Sequence, residues 1–216
     1  MLRKVVCISA LFFGLFSGAA MACEGQVGKV IFEDTFADDS GGWDLTPLVA
    51  SITPPNFLFT LATGTQFSSM NSQVLTFHAT EADFCTEFTL PKPIAADNNY
   101  ALGLEFWAVD YNSFWTVMVF SDATVSLYSR ANGSWQTVFS VLKAPSFKAD
   151  PNAVNALRVT TIGGKISVYL NNQLVKAVRS QIPDGSLRFG LYSQINKIVD
   201  HVEPIKISSY KVTSGQ

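Results

Sequence analysis

Short runs of alternating apolar and polar residues, separated by turns, dominate the chain between positions 100 and 193. Pairs that accept positive φ at low cost, such as Asn132-Gly133, Gly163-Gly164 and Asn171-Asn172, stand between consecutive runs. Regular spacing of this kind is typical of an all-β sandwich or barrel, and no run has the period of a helix. The strands predicted here are Tyr100–Val109, Phe114–Phe120, Thr124–Arg130, Ser134–Val141, Asn155–Ile162, Lys165–Leu170, Gln173–Arg179 and Ser186–Ser193.

The flanking parts of the chain are predicted to supply further strands of the same domain. No repeat of fixed period and no linker interrupts the pattern, so we expect a single domain over residues 23–216. The additional predicted strands are Lys29–Phe36, Leu48–Ile52, Phe57–Thr63, Gln73–Thr80, Asp83–Leu90 and Val202–Val212.

The composition agrees with a sandwich that buries much of both sheets. Of the 216 residues, 48% are hydrophobic and 15% charged, which excludes a disordered chain. The 17 phenylalanines predict a thick aromatic core, because Phe is both large and compatible with strands. The net charge is −2 and no basic run occurs, so neither nucleic acid nor an anionic membrane surface is an expected partner.

The first 22 residues have the layout of a secretory signal peptide. Arg3 and Lys4 supply the positive charge, Val5–Phe16 is the apolar segment, and Ala20-Met21-Ala22 is a small-x-small cleavage site. An uncleaved anchor helix is the alternative. No later segment is apolar enough to span a bilayer, so we expect a periplasmic or secreted protein.

Two cysteines remain after the leader, Cys23 and Cys85. An even pair in an oxidising compartment favours a disulfide. A lipid anchor on Cys23 is the alternative, although Ala20 stands where a lipobox usually carries Leu; free thiols are a third reading. No metal site is expected, because neither His78 nor His201 lies at ligand spacing from a cysteine.

Several short motifs, taken in order, resemble the concanavalin A-like lectin/glucanase jelly roll, in the form common in secreted bacterial proteins and laminin-G-like modules. The resemblance implies two stacked antiparallel sheets, one of them curved, with sugars often bound on the concave face. One departure is Asn172, where the family's hairpin usually has Gly, but Asn tolerates the same backbone shape. The motifs are FEDTF (Phe32–Phe36), GGW (Gly41–Trp43), NALRV (Asn155–Val159), GGKISVYLNN (Gly163–Asn172) and GSLRFGLY (Gly185–Tyr192).

Strand alternation sorts the side chains into inward and outward sets. Outward aromatic rings stack on sugar rings, and Arg and Glu supply directional hydrogen bonds to hydroxyl groups. The same composition also suits a protein-binding patch or ordinary cross-strand packing. Trp43 and Trp135 are interpreted as core or turn anchors, and the side of Trp115 is left open. The predicted ligand-binding residues are Glu105, Trp107, Tyr128, Arg130, Arg158, Tyr169, Arg188 and Tyr192.

Catalysis has weaker support in the sequence. A glycosidase needs two carboxyl groups flanking the scissile bond. Glucanases of this fold carry Glu-x-Asp-x-x-Glu on one strand, and this chain lacks that motif. Glu87 and Glu105 would meet only if their strands were neighbours. We therefore expect a carbohydrate-binding module, with a glycoside hydrolase-like enzyme and an envelope protein–protein interaction module as alternatives.

No cofactor is expected. Calcium held by one of two oxygen-rich turns, Asp38-Asp39-Ser40 and Asp97-Asn98-Asn99, is the alternative, since some members of the fold hold calcium. Neither turn follows a recognised calcium-loop spacing, and turn chemistry alone explains both.

Overall fold

The computed structural model describes residue 23 and residues 25–62, 64–73, 82–91, 100–181, 183, 187–196 and 203–214. The predicted leader, the two histidines and nearly all of the predicted strand Gln73–Thr80 lie outside these residues. No helix within the described ranges is long and apolar enough to cross a membrane.

The described residues form fourteen β-strands, β1 to β14 in chain order. Their bounds are β1 Val30–Asp34, β2 Ala50–Thr53, β3 Asn56–Phe59, β4 Gln66–Met70, β5 Ala82–Thr89, β6 Tyr100–Asp110, β7 Ser113–Phe120, β8 Val125–Ala131, β9 Ser134–Val141, β10 Asn155–Ile162, β11 Lys165–Leu170, β12 Gln173–Arg179, β13 Arg188–Ile195 and β14 Ile205–Ser214.

These strands make two stacked antiparallel sheets, as the sequence pattern and the resemblance predict. The large sheet has eight strands in the order β12-β11-β10-β5-β14-β3-β2, and β1 pairs with β14 beyond the end of β3. The small sheet has six strands in the order β4-β13-β6-β7-β8-β9. The predicted all-β, two-sheet jelly-roll sandwich is confirmed.

Tight turns set the register of the central hairpins. Asn132 and Gly133 have φ values of 48° and 81°, and Asn171 and Asn172 have 50° and 65°. Positive φ at both central residues matches the right-handed twist of the strands on either side. Strands β9, β10, β11 and β12 accordingly begin and end at the residues predicted from the sequence.

Aromatic rings fill the space between the sheets at one end of the sandwich. Trp43 lies 5.2 Å from Tyr210 and 5.8 Å from Phe32, ring centre to ring centre. Phe189 of the small sheet stacks on Tyr210 of the large sheet at 5.3 Å. These contacts join the two layers directly, so the predicted aromatic core is confirmed.

A β-bulge in β6 interrupts the alternation of side chains. Ala108 pairs with Arg188 and Glu105 with Gly190, so β6 has one residue more than β13 over this stretch. Trp107 takes up the extra residue with a φ of 51°. Its ring therefore packs in the core against Phe106, 5.4 Å away, and is 1% exposed. The prediction that Trp107 points outward is wrong, because simple alternation ends at this bulge.

The disulfide between Cys23 and Cys85 is present, with the two Cα atoms 5.9 Å apart. It fastens the segment before β1 to β5 of the large sheet. The backbone N–H of Cys23 also donates to Glu87 Oε1 at 3.3 Å. Because the sulfur of Cys23 is bonded to that of Cys85, no thiol is left there for a lipid.

Reduction of this disulfide should lower the free energy of unfolding. The bridge spans 62 positions. Chain-entropy arguments give such a loop a contribution of about 4 kcal/mol, as an upper value. Urea unfolding with and without reductant measures the difference. A Cys23→Ser/Cys85→Ser variant is the control and should be insensitive to reductant; equal stability of oxidised and reduced wild type would contradict the expectation.

Candidate ligand-binding site on the small sheet

The predicted outward residues do not form one surface. Glu105, Tyr128, Arg130, Arg188 and Tyr192 belong to the small sheet, where their side chains share its outer face. The other members lie elsewhere: Trp107 is in the core, and Arg158 and Tyr169 are on the outer face of the large sheet.

Arg158 and Tyr169, the two predicted residues on the large sheet, make structural contacts with each other and with Asp83. Arg158 donates from Nε to Asp83 Oδ1 at 2.9 Å and from Nη2 to Asp83 Oδ2 at 2.6 Å. Its guanidinium also lies 5.4 Å from the ring of Tyr169. Burial raises the pKa of Asp83 in spite of the arginine. These contacts are cross-strand packing, the alternative that the sequence left open.

An aromatic cluster spans the outer face of the small sheet from β13 to β9. Trp135 lies 5.5 Å from Phe114, 5.6 Å from Tyr192 and 6.1 Å from Tyr128, ring centre to ring centre. The guanidinium of Arg130 lies 5.3 Å from the ring of Trp135. We call these five residues the aromatic cluster.

Trp135 is not in the core, so the first half of its interpretation as a core or turn anchor is wrong. The Asn132-Gly133 turn pairs Trp135 with Arg130, and directly paired residues share a face of the sheet. Trp135 is therefore outward and 38% exposed. Trp43, by contrast, is in the core as predicted, and Trp115 packs against the core from β7.

A cleft of about 330 Å³ opens beside the aromatic cluster. Tyr111, in the turn between β6 and β7, and Asp44, after Trp43, contribute to its wall, and the Tyr111 hydroxyl donates to Asp44 Oδ2. Arg130 Nη1 donates to the backbone oxygen of Tyr111 at 3.1 Å. The lining residues are Asp44, Thr46, Gln66, Phe67, Ser68, Tyr111, Arg130 and Tyr192.

Sequence reasoning missed much of this wall. Strand β4 was not predicted, because its sequence QFSSM has little apolar character. Asp44 and Tyr111 lie in connections, where alternation assigns no face. Tyr192 of β13 pairs with Ser68 of β4 on one side and with Gly103 of β6 on the other. This pairing identifies the wall, but it can be used only when β4 is already known.

Tyr111 and Tyr192 of the cleft wall keep their hydroxyl protons at neutral pH and therefore act as hydrogen-bond donors. Burial and the hydrogen bond to Asp44 raise the pKa of Tyr111 to about 12. Burial, followed by the nearby Glu105, also raises the pKa of Tyr192. The Tyr192 hydroxyl donates to Gln66 Oε1, which ties β13 to β4 at the edge of the cleft.

Glu105 lies next to this wall and is completely buried. Its Oε2 accepts a hydrogen bond from Ser68 Oγ at 2.8 Å, while Oε1 has no hydrogen-bond partner among the described residues. Burial raises the pKa of Glu105 to about 8, against the opposing effects of Ser68 and Arg130. The protonated form of the side chain is therefore favoured at pH 7, and the carboxyl group lies one side chain away from the cleft.

Two glycines leave room for the polar groups of this region. A Cβ on Gly190 would lie 2.6 Å from Glu105 Oε2 and 2.8 Å from the backbone oxygen of Ser69. A Cβ on Gly103 would lie 2.6 Å from Thr116 Oγ1. Larger residues would therefore displace the acid or the threonine from its place on the sheet.

Glu87 is not part of this site. It lies on β5 of the large sheet, beside Cys23, whereas Glu105 lies on β6 of the small sheet. The condition under which the two would meet, adjacent strands, is not fulfilled. The suggested pair of catalytic carboxylates is therefore wrong.

No metal-binding cluster of three or more His, Cys, Asp or Glu side chains occurs among the residues that the structure describes. In the turn at Asp38, the carboxylate accepts a hydrogen bond from the Ser40 N–H at 2.9 Å, which is ordinary turn chemistry. The second calcium candidate, Asp97-Asn98-Asn99, lies outside the described residues.

The two antiparallel sheets, the aromatic core between them and the cleft on one outer face define a concanavalin A-like jelly-roll sandwich. No family model matches the chain, and no curated protein matches its sequence. Solved structures do match its fold. The carbohydrate-binding module CBM66 from Bacillus subtilis aligns over 81% of this chain and 96% of its own, with a TM-score of 0.59 and 16% identity.

Two further structures show the same architecture. The carbohydrate recognition domain of Emp47p aligns over 87% of this chain and 98% of its own, with a TM-score of 0.65 and 16% identity. The β-glucanase of Bacillus licheniformis aligns over 88% of this chain and 100% of its own, with a TM-score of 0.61 and 13% identity. At these identities the similarity establishes the shared fold.

The buried acid predicts a pH-dependent stability. The carboxyl of Glu105 has a pKa of about 8 in the folded protein and an ordinary value of 4.5. Between these values the folded state holds the proton more firmly than the unfolded chain, so stability falls as pH rises. The slope is at most about 1.4 kcal/mol per pH unit. Glu105→Gln should remove this part of the slope in urea unfolding measured from pH 5 to pH 8.

Glu33→Gln is the matched control for this experiment. Glu33 is on the large sheet, its side chain is 49% exposed, and it pairs with Lys211. Its removal should leave the slope of the wild type unchanged. Parallel stability curves for wild type and Glu105→Gln would show that Glu105 does not titrate as described.

Proposed function

We propose that this protein is a carbohydrate-binding module that binds a saccharide in the cleft of the small sheet. The observation that carries the proposal is the part-exposed ring of Trp135, held beside Arg130 at the side of a cleft lined by polar groups. Two of the similar structures, a carbohydrate-binding module and a carbohydrate recognition domain, support it.

The physical basis is the amphipathic character of sugars. The C–H face of a pyranose packs on an aromatic ring, and its hydroxyl groups need partners of fixed direction. Arg130, Tyr111 and Asp44 supply such partners within one hydrogen-bonded group. Because the strands and the Tyr111–Asp44 contact hold them in place, little entropy is lost on binding.

We further propose that the protein acts in the periplasm or outside the cell. The disulfide supports an oxidising compartment, and the signal-like leader supports export.

Replacement of Trp135 tests the proposed function. Trp135→Ala should weaken saccharide binding about five- to thirtyfold, since stacking on an exposed indole contributes on the order of 1–2 kcal/mol. A glycan array on the wild type identifies binding saccharides, and isothermal titration calorimetry then measures their affinity for each variant.

Leu174→Ala is the matched control. Leu174 is 58% exposed on β12, at the edge of the large sheet, and its truncation should leave affinity unchanged. If the array shows no saccharide binding, or if Trp135→Ala binds as the wild type does, the proposed site is wrong. Capture of an envelope protein that no saccharide displaces would instead favour a protein–protein interaction module.

A hydrolase is the second candidate, because a carboxylic acid with a raised pKa is what general-acid catalysis requires. Glu105 and Asp44 would be its two carboxyl groups. The burial of Glu105 argues against a hydrolase, because a general acid must reach the leaving oxygen and Glu105 has no exposed surface. Release of reducing ends from an oligosaccharide that the array identifies, lost in Glu105→Gln, would favour the enzyme over the binding module.

A further inference from the structure

Arg130 is the one cationic side chain among the described residues that line the cleft. It is held between two kinds of contact. Its guanidinium lies over the rings of Trp135 and Phe114, at 5.3 and 5.8 Å, and its Nη1 donates to the backbone oxygen of Tyr111. These contacts fix the plane of the guanidinium without neutralising its charge.

The Nε–H of Arg130 is the unexplained donor of the site. The atom is buried and has no hydrogen-bond partner among the described residues. Neither of the ion pairs found among the described residues includes this arginine. Arg158 offers the contrast, because both its Nε and Nη2 are satisfied by the carboxylate of Asp83. Because this atom is shielded from the cleft, a ligand would reach the guanidinium through its other N–H groups.

The neighbouring acids do not supply the missing negative charge. Glu105 forms no ion pair with Arg130, its Oε2 is engaged by Ser68, and burial raises the pKa of its carboxyl. Asp44 lines the same cleft, but its side chain is exposed to solvent and accepts a hydrogen bond from the Tyr111 hydroxyl. No carboxylate of the described residues forms an ion pair with Arg130.

We propose that the saccharide bound in the cleft is acidic, and that a uronic acid carboxylate pairs with the guanidinium of Arg130, the cation that lines the cleft. This inference rests on the proposed function. A planar carboxylate is a geometric match for a guanidinium, as Asp83 already shows at Arg158 on the other sheet. The sugar ring that carries the carboxylate then packs beside Trp135, which lies against the same guanidinium.

The test compares acidic oligosaccharides with neutral partners of the same stereochemistry. Trimers of galacturonate, mannuronate, guluronate and glucuronate are measured by calorimetry beside their carboxyl-reduced forms. At least one acidic trimer should bind about tenfold more tightly than its reduced form, in line with a charge-assisted hydrogen-bond pair. The preference should shrink as salt is raised, because the cleft is open to solvent.

Substitutions at Arg130 assign the preference to this side chain. Arg130→Gln should abolish the discrimination between acidic and reduced trimers, and Arg130→Lys should keep only part of it, since lysine retains the charge without the fork. Arg179→Gln is the matched control, because Arg179 is exposed at the end of β12 on the large sheet. Thermal unfolding of each variant shows whether the aromatic cluster is still folded.

The outcomes separate this inference from the proposed function. Neutral saccharides that bind as well as acidic ones, with loss in Trp135→Ala, would overturn the acidic ligand and leave the binding module intact. Preference for a sulfated oligosaccharide over every uronate trimer would overturn the carboxylate. If no saccharide of either kind binds, the proposed function fails as well. An acidic preference that persists in Arg130→Gln would place the recognition elsewhere and overturn the assignment.

Discussion

The small sheet packs side chains on both of its faces, and this constraint shapes the rest of the molecule. Leu104 and Glu105 are neighbours in β6, yet Leu104 points into the core and Glu105 to the other side. The outer side is itself largely covered, because Met70, Met118 and Tyr192 belong to a second buried cluster there. A carboxyl group on such a face has lost its water, which is why its protonated form is favoured.

Because the small sheet is packed on both faces, its site has two parts: a buried floor of strand residues and a more accessible rim. The floor consists of strand residues whose spacing depends on the small size of Gly103 and Gly190. The rim consists of Asp44 and Tyr111 in connections, and Trp135 beyond a tight turn. The same sandwich occurs in a carbohydrate-binding module and in a β-glucanase, so the fold by itself does not determine function.

Local sequence rules predicted most of the strands correctly but only some of the residues of the site. Turn pairs such as Asn132-Gly133 and strict alternation placed most central strands, because both depend on residues close in sequence. Alternation failed at Trp107, where a bulge adds one residue that no local pattern marks. It also could not tell that Arg158 and Arg130 face opposite sides of the molecule, since that depends on which strands share a sheet. The raised pKa of Glu105 depends on packing against neighbouring strands, so it could not be predicted from the sequence either.

The bridge between Cys23 and Cys85 has a geometric consequence for handling the protein. Cys85 pairs with Arg158 and Lys211 and so faces away from the core, on the outer side of the large sheet. The cleft opens on the opposite side of the sandwich. A tag placed just before Cys23 would therefore attach the molecule to a support by the side away from the cleft, and leave the cleft open to the solution.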